Sequence, residues 1–374
     1  MKALHHPASP CDLSPKGNLK LQLKDLPEDL EVVECNEGLG VFTKREFFWA
    51  EKGEVANRRV LPAENKFDIN GWGFYSPMEI ELELTKNCNQ ECIHCWNDSF
   101  RTTGELEFEK LKILLAEFKK NHGQKLKLIG GEPMMYKHFW DLLDFSKGNG
   151  IRQIEMTSNG RLITKNIADK LITSLTDIFI SLHGSNSKIH NYITQRERSY
   201  EETIKGIKHM QDKGMNPSLR YTIMGKNKGD ALDMLDLAED LNVKSIKFNA
   251  LIQKGRGANI DNISLEDLFL LRNLVYSESK KRNVKLEKSV VYTAGYMDGI
   301  EYARFYGCSG LRSCAYISSN GDMLPCSLVP TSIGNIYEQS LNTLWRNSLA
   351  QKFRDTFDCE NSSCQNTCGG KCKA

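Results

Sequence analysis

The chain has no long hydrophobic run. Charged or turn-forming residues interrupt every apolar stretch of its 374 residues well before the ~18 that a membrane-spanning helix needs. A secretory signal is missing too, since Met1-Lys2-Ala3-Leu4-His5-His6-Pro7 has no apolar core. Charge of one sign is not in excess: 50 Lys and Arg against 48 Asp and Glu leave a formal charge of +2, which excludes a general attraction to nucleic acid or anionic membrane. Repeats and low-complexity tracts are lacking as well. With 40% hydrophobic and 26% charged residues, the composition is that of a globular protein. The length favours one large domain with appendages, and a cytoplasmic protein is the default expectation.

Cysteine, by contrast, is abundant and unevenly placed. Of the 12, Cys88, Cys92 and Cys95 form one knot, seven lie between Cys308 and Cys372, and Cys11 and Cys35 stand apart. In a small secreted chain this would read as a disulfide framework, but length and the missing export signal argue otherwise. Clustered thiols in a reducing compartment point to metal or iron–sulfur ligation.

Residues 1–78 read as a strand-rich cap: segments 30–35 and 40–43 flank Asn36-Glu37-Gly38, a hairpin signal, with Trp49, Trp72, Phe74 and Tyr75 nearby. They are too short and too poor in helical periodicity for a winged-helix leader-binding module. From Glu79 a rhythm begins. Strands are predicted at 79–85, 125–129, 153–157, 177–182, 218–224 and 245–251, and helices at 105–121, 138–147, 165–174, 200–213, 230–241 and 264–282. Six alternating units predict an α/β fold, a partial (β/α)6 TIM-like barrel over 79–282 with a C-terminal extension over 283–374. In such folds chemistry gathers at the C-terminal strand ends.

Directly after the first strand, Cys88, Cys92 and Cys95 stand at Cx3Cx2C spacing with His94 before the last. A [4Fe–4S] cube takes four thiolates, so three leave one iron open. A structural zinc site is the alternative, but zinc wants four ligands and no fourth stands at the right spacing. The second strand ends in Gly130-Gly131-Glu132-Pro133, where two glycines let the backbone approach a ligand closely. The third ends in Ser158-Asn159-Gly160 and the fourth in Ser181-Leu182-His183-Gly184; Arg220 on the fifth could pair with a carboxylate, and Gly255-Arg256-Gly257-Ala258 follows the sixth.

Together, Cx3Cx2C on the first strand and GGEP on the second resemble the radical S-adenosylmethionine (SAM) superfamily. The resemblance implies that Cys88, Cys92 and Cys95 hold a [4Fe–4S] cluster whose open iron binds SAM. Gly130, Gly131, Glu132, Pro133, Ser158, Asn159, Ser181 and Arg220 would then contact the cofactor. Reductive cleavage of SAM to a 5′-deoxyadenosyl radical would be the chemistry, with an electron donor such as flavodoxin or ferredoxin. Where many relatives read SLDG, this chain has His183. The segment Cys308-x5-Cys314, a hairpin over 315–324 around Asn320-Gly321, Cys326, a helix around 341–354, and Cys359-x4-Cys364-x3-Cys368-x3-Cys372 resemble the SPASM extension. That implies two auxiliary iron–sulfur clusters. Cys308, Cys314, Cys326 and Cys372 would hold the first, and Cys359, Cys364 and Cys368 would contribute to the second; two zinc ribbons are the alternative.

The second auxiliary cluster has no evident fourth ligand: Cys11 or Cys35 could supply it, an oxygen ligand could, or substrate could bind the open iron. Either cysteine could instead donate hydrogen to a substrate radical; equally, both could be buried packing residues. Proteins of this kind are mostly peptide maturases, which implies hydrogen abstraction from a residue of a ribosomally made peptide. A small-molecule dehydrogenase is the second reading, and a non-catalytic iron–sulfur or zinc protein the third.

Overall fold

The computed structural model describes residues 76–287 and 310–355, together with the backbone of six short strands between residues 31 and 74. Those strands are β1 (Glu31–Glu34), β2 (Leu39–Phe42), β3 (Phe47–Ala50), β4 (Val60–Leu61), β5 (Phe67–Asp68) and β6 (Gly73–Phe74). The hairpin expected around Asn36-Glu37-Gly38 is present, with Glu31 opposite Phe42 and Glu34 opposite Leu39. The first four strands form one sheet in the order β3-β2-β1-β4, and β5 pairs with β6.

The main body alternates strand and helix. Strands β7 (Glu79–Glu83), β8 (Lys125–Ile129), β9 (Gln153–Ser158), β10 (Asp177–Ser181), β11 (Ser218–Ile223) and β12 (Ser245–Ala250) lie parallel and in sequence order. Helices α1 (Phe108–Lys120), α2 (Phe139–Gly148), α3 (Lys165–Leu171), α4 (Ser187–Thr194), α5 (Ser199–Asp212), α6 (Ala231–Asp240) and α7 (Leu265–Lys281) connect or follow them. Side chains alternate along each strand. Ile80, Leu82, Leu126, Leu128, Ile154 and Met156 share one apolar core with Leu111, Leu115 and Phe118 of α1.

The intervening residues Glu81, Lys127, Glu155, Arg220 and Lys247 face the other side. Glu81 on β7 and Arg220 on β11 lie within electrostatic reach, as do Lys247 on β12 and Lys127 on β8. In a flat sheet with strands about 4.8 Å apart, each of these pairs, four strands apart, would be separated by about 19 Å, too far for such coupling. The sheet therefore curls around a lumen, and the fold is a partial barrel.

Three differences from the sequence expectation have physical causes. The first helix starts at Phe108, not at 105, because Glu105 forms an antiparallel bridge with Thr85 that closes the intervening loop. Helix α4 is an addition, capped by the Asn186 side chain on the N–H of Ile189. The helix expected around 341–354 is two, Leu341–Arg346 and Ser348–Asp355, since Asn347 is extended and its side chain accepts from the N–H of Ala350.

The hairpin of the C-terminal segment is as expected, with β13 (Cys314–Ile317) antiparallel to β14 (Asp322–Leu324) and β15 (Gly334–Asn335) beyond. What alternation could not reveal is that β13 lies parallel to β7, with Cys314 beside Glu79 and Ile317 beside Leu82. The extension thus continues the barrel sheet past its first strand.

Candidate active site

Between β7 and α1 the chain makes a long loop at the C-terminal strand ends. Its base is closed by Lys86 N–H to Gly104 O (2.8 Å) and Leu106 N–H to Leu84 O (3.0 Å). Its tip holds Cys88, Cys92 and Cys95, all half-buried and in no disulfide. Ile93 N–H donates to Ile193 O (2.9 Å) and Glu91 N–H to Thr194 O (3.2 Å), so α4 pins one side. Burial pushes the Cys88 thiol up to about 11 and raises Cys92 further, with neighbouring thiols adding to the effect at Cys92. Only a nearby cation such as a metal would make them thiolates there.

Among the described residues, no three His, Cys, Asp or Glu side chains converge tightly enough to hold one metal ion. A cube does not ask for such convergence, because each thiolate binds a different iron.

The GGEP segment lies against this loop. Gly131 N–H donates to Thr85 O (2.6 Å) and Glu132 N–H to Asn87 O (2.8 Å). A Cβ on Gly131 would collide with the backbone of Asn87 and Lys86, which explains the glycine beside Cys88. Glu132 is fully buried: Oε1 accepts from Ser158 Oγ (2.9 Å) and Oε2 from Asn159 N–H (2.9 Å). Burial lifts its carboxyl to about 7 against these bonds. Asn159 reaches on to Asn89 Oδ1 (2.6 Å), and Arg161 Nη1 donates to Asn89 O (2.5 Å). The ends of β8 and β9 are therefore bonded to each other and to the cysteine loop. Asn89, Gln90 and Arg161 were not anticipated; Asn89 and Gln90 sit between the first two cysteines, where spacing draws attention to the thiols alone.

Three histidines, the half-buried His94 and the buried His183 and His190, stand behind Cys95. His94 meets His183 edge-on at 4.2 Å, and His183 stacks with His190 at 6.2 Å. His183 Nδ1 faces the Thr222 N–H (3.2 Å) and His190 Nδ1 faces the His183 N–H (3.0 Å), which fixes both as Nε2–H tautomers. The His190 Nε2–H then faces Ser199 Oγ (3.1 Å), which also takes Gln90 Nε2 (2.7 Å), and Gln90 Oε1 faces Cys92 Sγ (3.4 Å). Burial holds His94 down to about 4 and His190 to about 3, so all stay neutral. His94 Nδ1 is buried with no partner among the described residues, and a bound ligand would satisfy it.

The turn after β12 clamps the same loop. Arg256 Nε donates to Cys92 O (2.8 Å), and Nη1 to Asp98 Oδ1 (2.9 Å) and Ser99 O (2.6 Å). Its neighbour Gly255 has φ +55, and a Cβ there would sit 2.6 Å from Cys95 O. A lysine cannot reproduce this fork. Arg256→Lys is expected to fold but to lose iron to a chelator several-fold faster than wild type, read by absorbance of the iron–chelator complex.

Ser181 ends β10 in register with Arg220. Arg220 lies inside the lumen, bonded to Glu287 (2.6 Å) and stacked 4.0 Å over the Phe179 ring. At the C-terminal extension, Cys314 and Cys326 are described and neither is in a disulfide. Tyr316 packs edge-on against Trp96 at 6.4 Å, and the buried Glu83 accepts from Ser319 N–H (2.8 Å), so the hairpin is bonded to the cysteine loop's own strand. Cys308, Cys359, Cys364, Cys368 and Cys372, with Cys11 and Cys35, lie outside the described residues.

Three thiols from one loop, a glycine cradle against it and the orphaned His94 Nδ1 fit a cluster with one open iron and a ligand upon it. The comparisons agree. Residues 82–239 match the radical SAM superfamily and residues 308–373 an iron–sulfur cluster-binding SPASM domain. An AdoMet-dependent heme synthase of Methanosarcina barkeri is 26% identical over 299 residues, 75% of this chain and 85% of the relative. The antilisterial bacteriocin subtilosin biosynthesis protein AlbA of Bacillus subtilis is 26% identical over 284 residues, 75% of this chain and 62% of the relative. In fold, Streptococcus suis SuiB bound to precursor peptide SuiA superposes with a TM-score of 0.73 at 16% identity, covering 92% of this chain and 93% of SuiB.

Proposed function

Since the chain belongs to the radical SAM superfamily and carries a SPASM domain with auxiliary iron–sulfur clusters, we propose that it modifies a residue of a ribosomally made peptide by hydrogen abstraction. When bound at Cys88, Cys92 and Cys95, the cluster and SAM supply the 5′-deoxyadenosyl radical. Everything else falls to the chain. Gly130 and Gly131 let the end of β8 pack against the backbone of the cysteine loop, Glu132 fixes Ser158 and Asn159, and His94 offers its buried Nδ1 to the ligand. Arg256 and α4 hold the loop shut against water. A small electron-transfer protein, a flavodoxin or ferredoxin, serves as donor.

The observation that carries the peptide reading is the extent of the likeness to SuiB. Residues 79–374 are 296 of the 374, so coverage of 92% must extend into the first 78. There β3 and β4 form the edges of a four-stranded sheet, and an extended peptide can add to such an edge as a further strand. A second reading, a tetrapyrrole substrate, is favoured by the heme synthase relative, of which this chain covers 85%.

One assay separates them. Reduced enzyme with SAM is incubated with peptides encoded beside its gene or with iron-coproporphyrin, and 5′-deoxyadenosine is followed with the substrate's mass. A mass change in a peptide, in step with 5′-deoxyadenosine, is expected. Turnover of the porphyrin alone would replace the peptide reading with the second.

A further inference from the structure

A chain of hydrogen bonds runs from the barrel to the cysteine loop through Gln90, His190 and Ser199, all three buried. The His183 N–H occupies His190 Nδ1 (3.0 Å), so the proton of that ring sits at Nε2 and points at Ser199 Oγ (3.1 Å). Gln90 Nε2 stands 2.7 Å from the same Oγ, and Gln90 Oε1 stands 3.4 Å from Cys92 Sγ. That arrangement suits a protonated thiol, which can donate to Oε1. It leaves Ser199 accepting twice, with no acceptor among the described residues for its own hydroxyl proton.

A thiolate bound to iron reverses the polarity. It has no proton to give, and a carbonyl oxygen facing it would meet its lone pairs. Turning the Gln90 amide over exchanges an oxygen for an amino group of nearly equal size and repairs both ends at once. Ser199 Oγ–H then donates to Gln90 Oε1, and Gln90 Nε2–H to Cys92 Sγ. The chain now runs donor to acceptor from the His183 N–H to the sulfur, and the serine proton is satisfied; a buried donor left without an acceptor costs about 1–3 kcal/mol. We propose that Gln90 donates a hydrogen bond to the Cys92 thiolate and so raises the reduction potential of the SAM-binding cluster, with His190 and Ser199 as positioning residues that orient its amide. This rests on the reading that Cys92 is a ligand of that cluster.

The effect has a definite sign. An added electron makes the cluster more negative, so a hydrogen bond to one of its sulfurs favours the reduced form. The surroundings leave room for such help. Burial and the Cys88 and Cys95 thiols disfavour negative charge at Cys92, opposed by the Arg256 guanidinium and by the N–H of Cys92 itself. Gln90 also gives its main-chain N–H to Cys88, so one residue serves two of the three thiols. Leucine at position 90 would keep the main-chain bond and lose the side-chain one.

The test measures a potential. Reconstituted holoenzyme, Gln90→Leu and Ser199→Ala are titrated anaerobically, and the paramagnetic resonance signal that changes on adding SAM is followed. With iron content equal to wild type, Gln90→Leu should disfavour reduction about tenfold, a fall of about 59 mV for one electron. Ser199→Ala, which keeps the amide but not its orientation, should give a smaller fall. Signals that do not respond to SAM should keep their potentials in both variants, which a general loosening of the fold would not allow. An unchanged midpoint in Gln90→Leu, or an equal fall in every signal, overturns the proposal. If Gln90→Leu fails to hold its cluster, wild type decides alone. Prepared with glutamine carrying nitrogen-15 in the side-chain amide, it should show coupling of that nitrogen to the SAM-responsive signal in pulsed paramagnetic resonance, and no coupling overturns the proposal. If Cys92→Ala keeps that signal, the ligand reading itself fails, and the proposal with it.

Discussion

Alanine at any one of Cys88, Cys92 or Cys95 should abolish formation of 5′-deoxyadenosine from SAM and lower iron by about four atoms per chain. Three cubes would hold about 12. The effect should be all-or-none because each of the three thiolates would hold a different iron of one cube. His94, between Cys92 and Cys95, has its ring packed edge-on against His183 at 4.2 Å. Alanine at Cys326 is the control. It should lower iron as well while SAM cleavage persists, because Cys326 follows β14 on the far side of β13 from the cysteine loop's strand. Iron by colorimetry and 5′-deoxyadenosine by chromatography check both. A single-cysteine variant on the first loop that still cleaves SAM would place the cluster elsewhere.

Period-2 alternation and apolar helix faces made the barrel legible, because burial on one side of each element leaves a pattern in local sequence. All six strands lie where alternation puts them, within a residue or two. The attachment of β13 to β7 was not legible, since strand pairing over more than 200 residues is a tertiary choice with no local signature. Helix α4 was missed for a related reason: eight residues are too few for periodicity to speak, and its start depends on the Asn186 cap. At the site, spacing and turn chemistry found the thiols and GGEP. They could not find Arg256 as a clamp, because its partners are carbonyls of Cys92 and Ser99 more than 150 residues away. Nor could they find the neutral state of His183 and His190, which comes from burial and from which backbone N–H each ring meets.

Arg220 shows the opposite case. A strand arginine was read as a carboxylate partner near the cofactor, and its partner within the chain is Glu287, inside the lumen. Residue type suggested the chemistry, while the depth along the strand was set by register. Glu132 likewise stands where the resemblance implies a cofactor contact, and its two oxygens fasten the end of β8 to that of β9.

That fastening makes Glu132→Gln the substitution with the largest expected effect on stability, and one that changes with pH. In the folded chain, burial lifts the carboxyl to about 7 from its ordinary 4.5. Between those values the folded state binds more protons than the unfolded, so stability falls as pH rises, by roughly 3 kcal/mol across the window. Below pH 4.5 the contribution is fully present, and above about 7 it is lost. Glutamine removes the titration, and near pH 5 it matches the protonated wild-type carboxyl, with one carbonyl oxygen to accept the Asn159 N–H and one donor group facing Ser158 Oγ, whose hydroxyl can turn to accept. The variant should therefore unfold close to wild type near pH 5 and at a higher temperature than wild type by pH 8, where the buried wild-type carboxyl must ionise. Thermal melts of both proteins without SAM, from pH 5 to 8, measure it. Parallel melting curves across that range would mean that the Glu132 carboxyl does not titrate there, and that the hydrogen bonds from Ser158 and Asn159 hold it ionised despite burial.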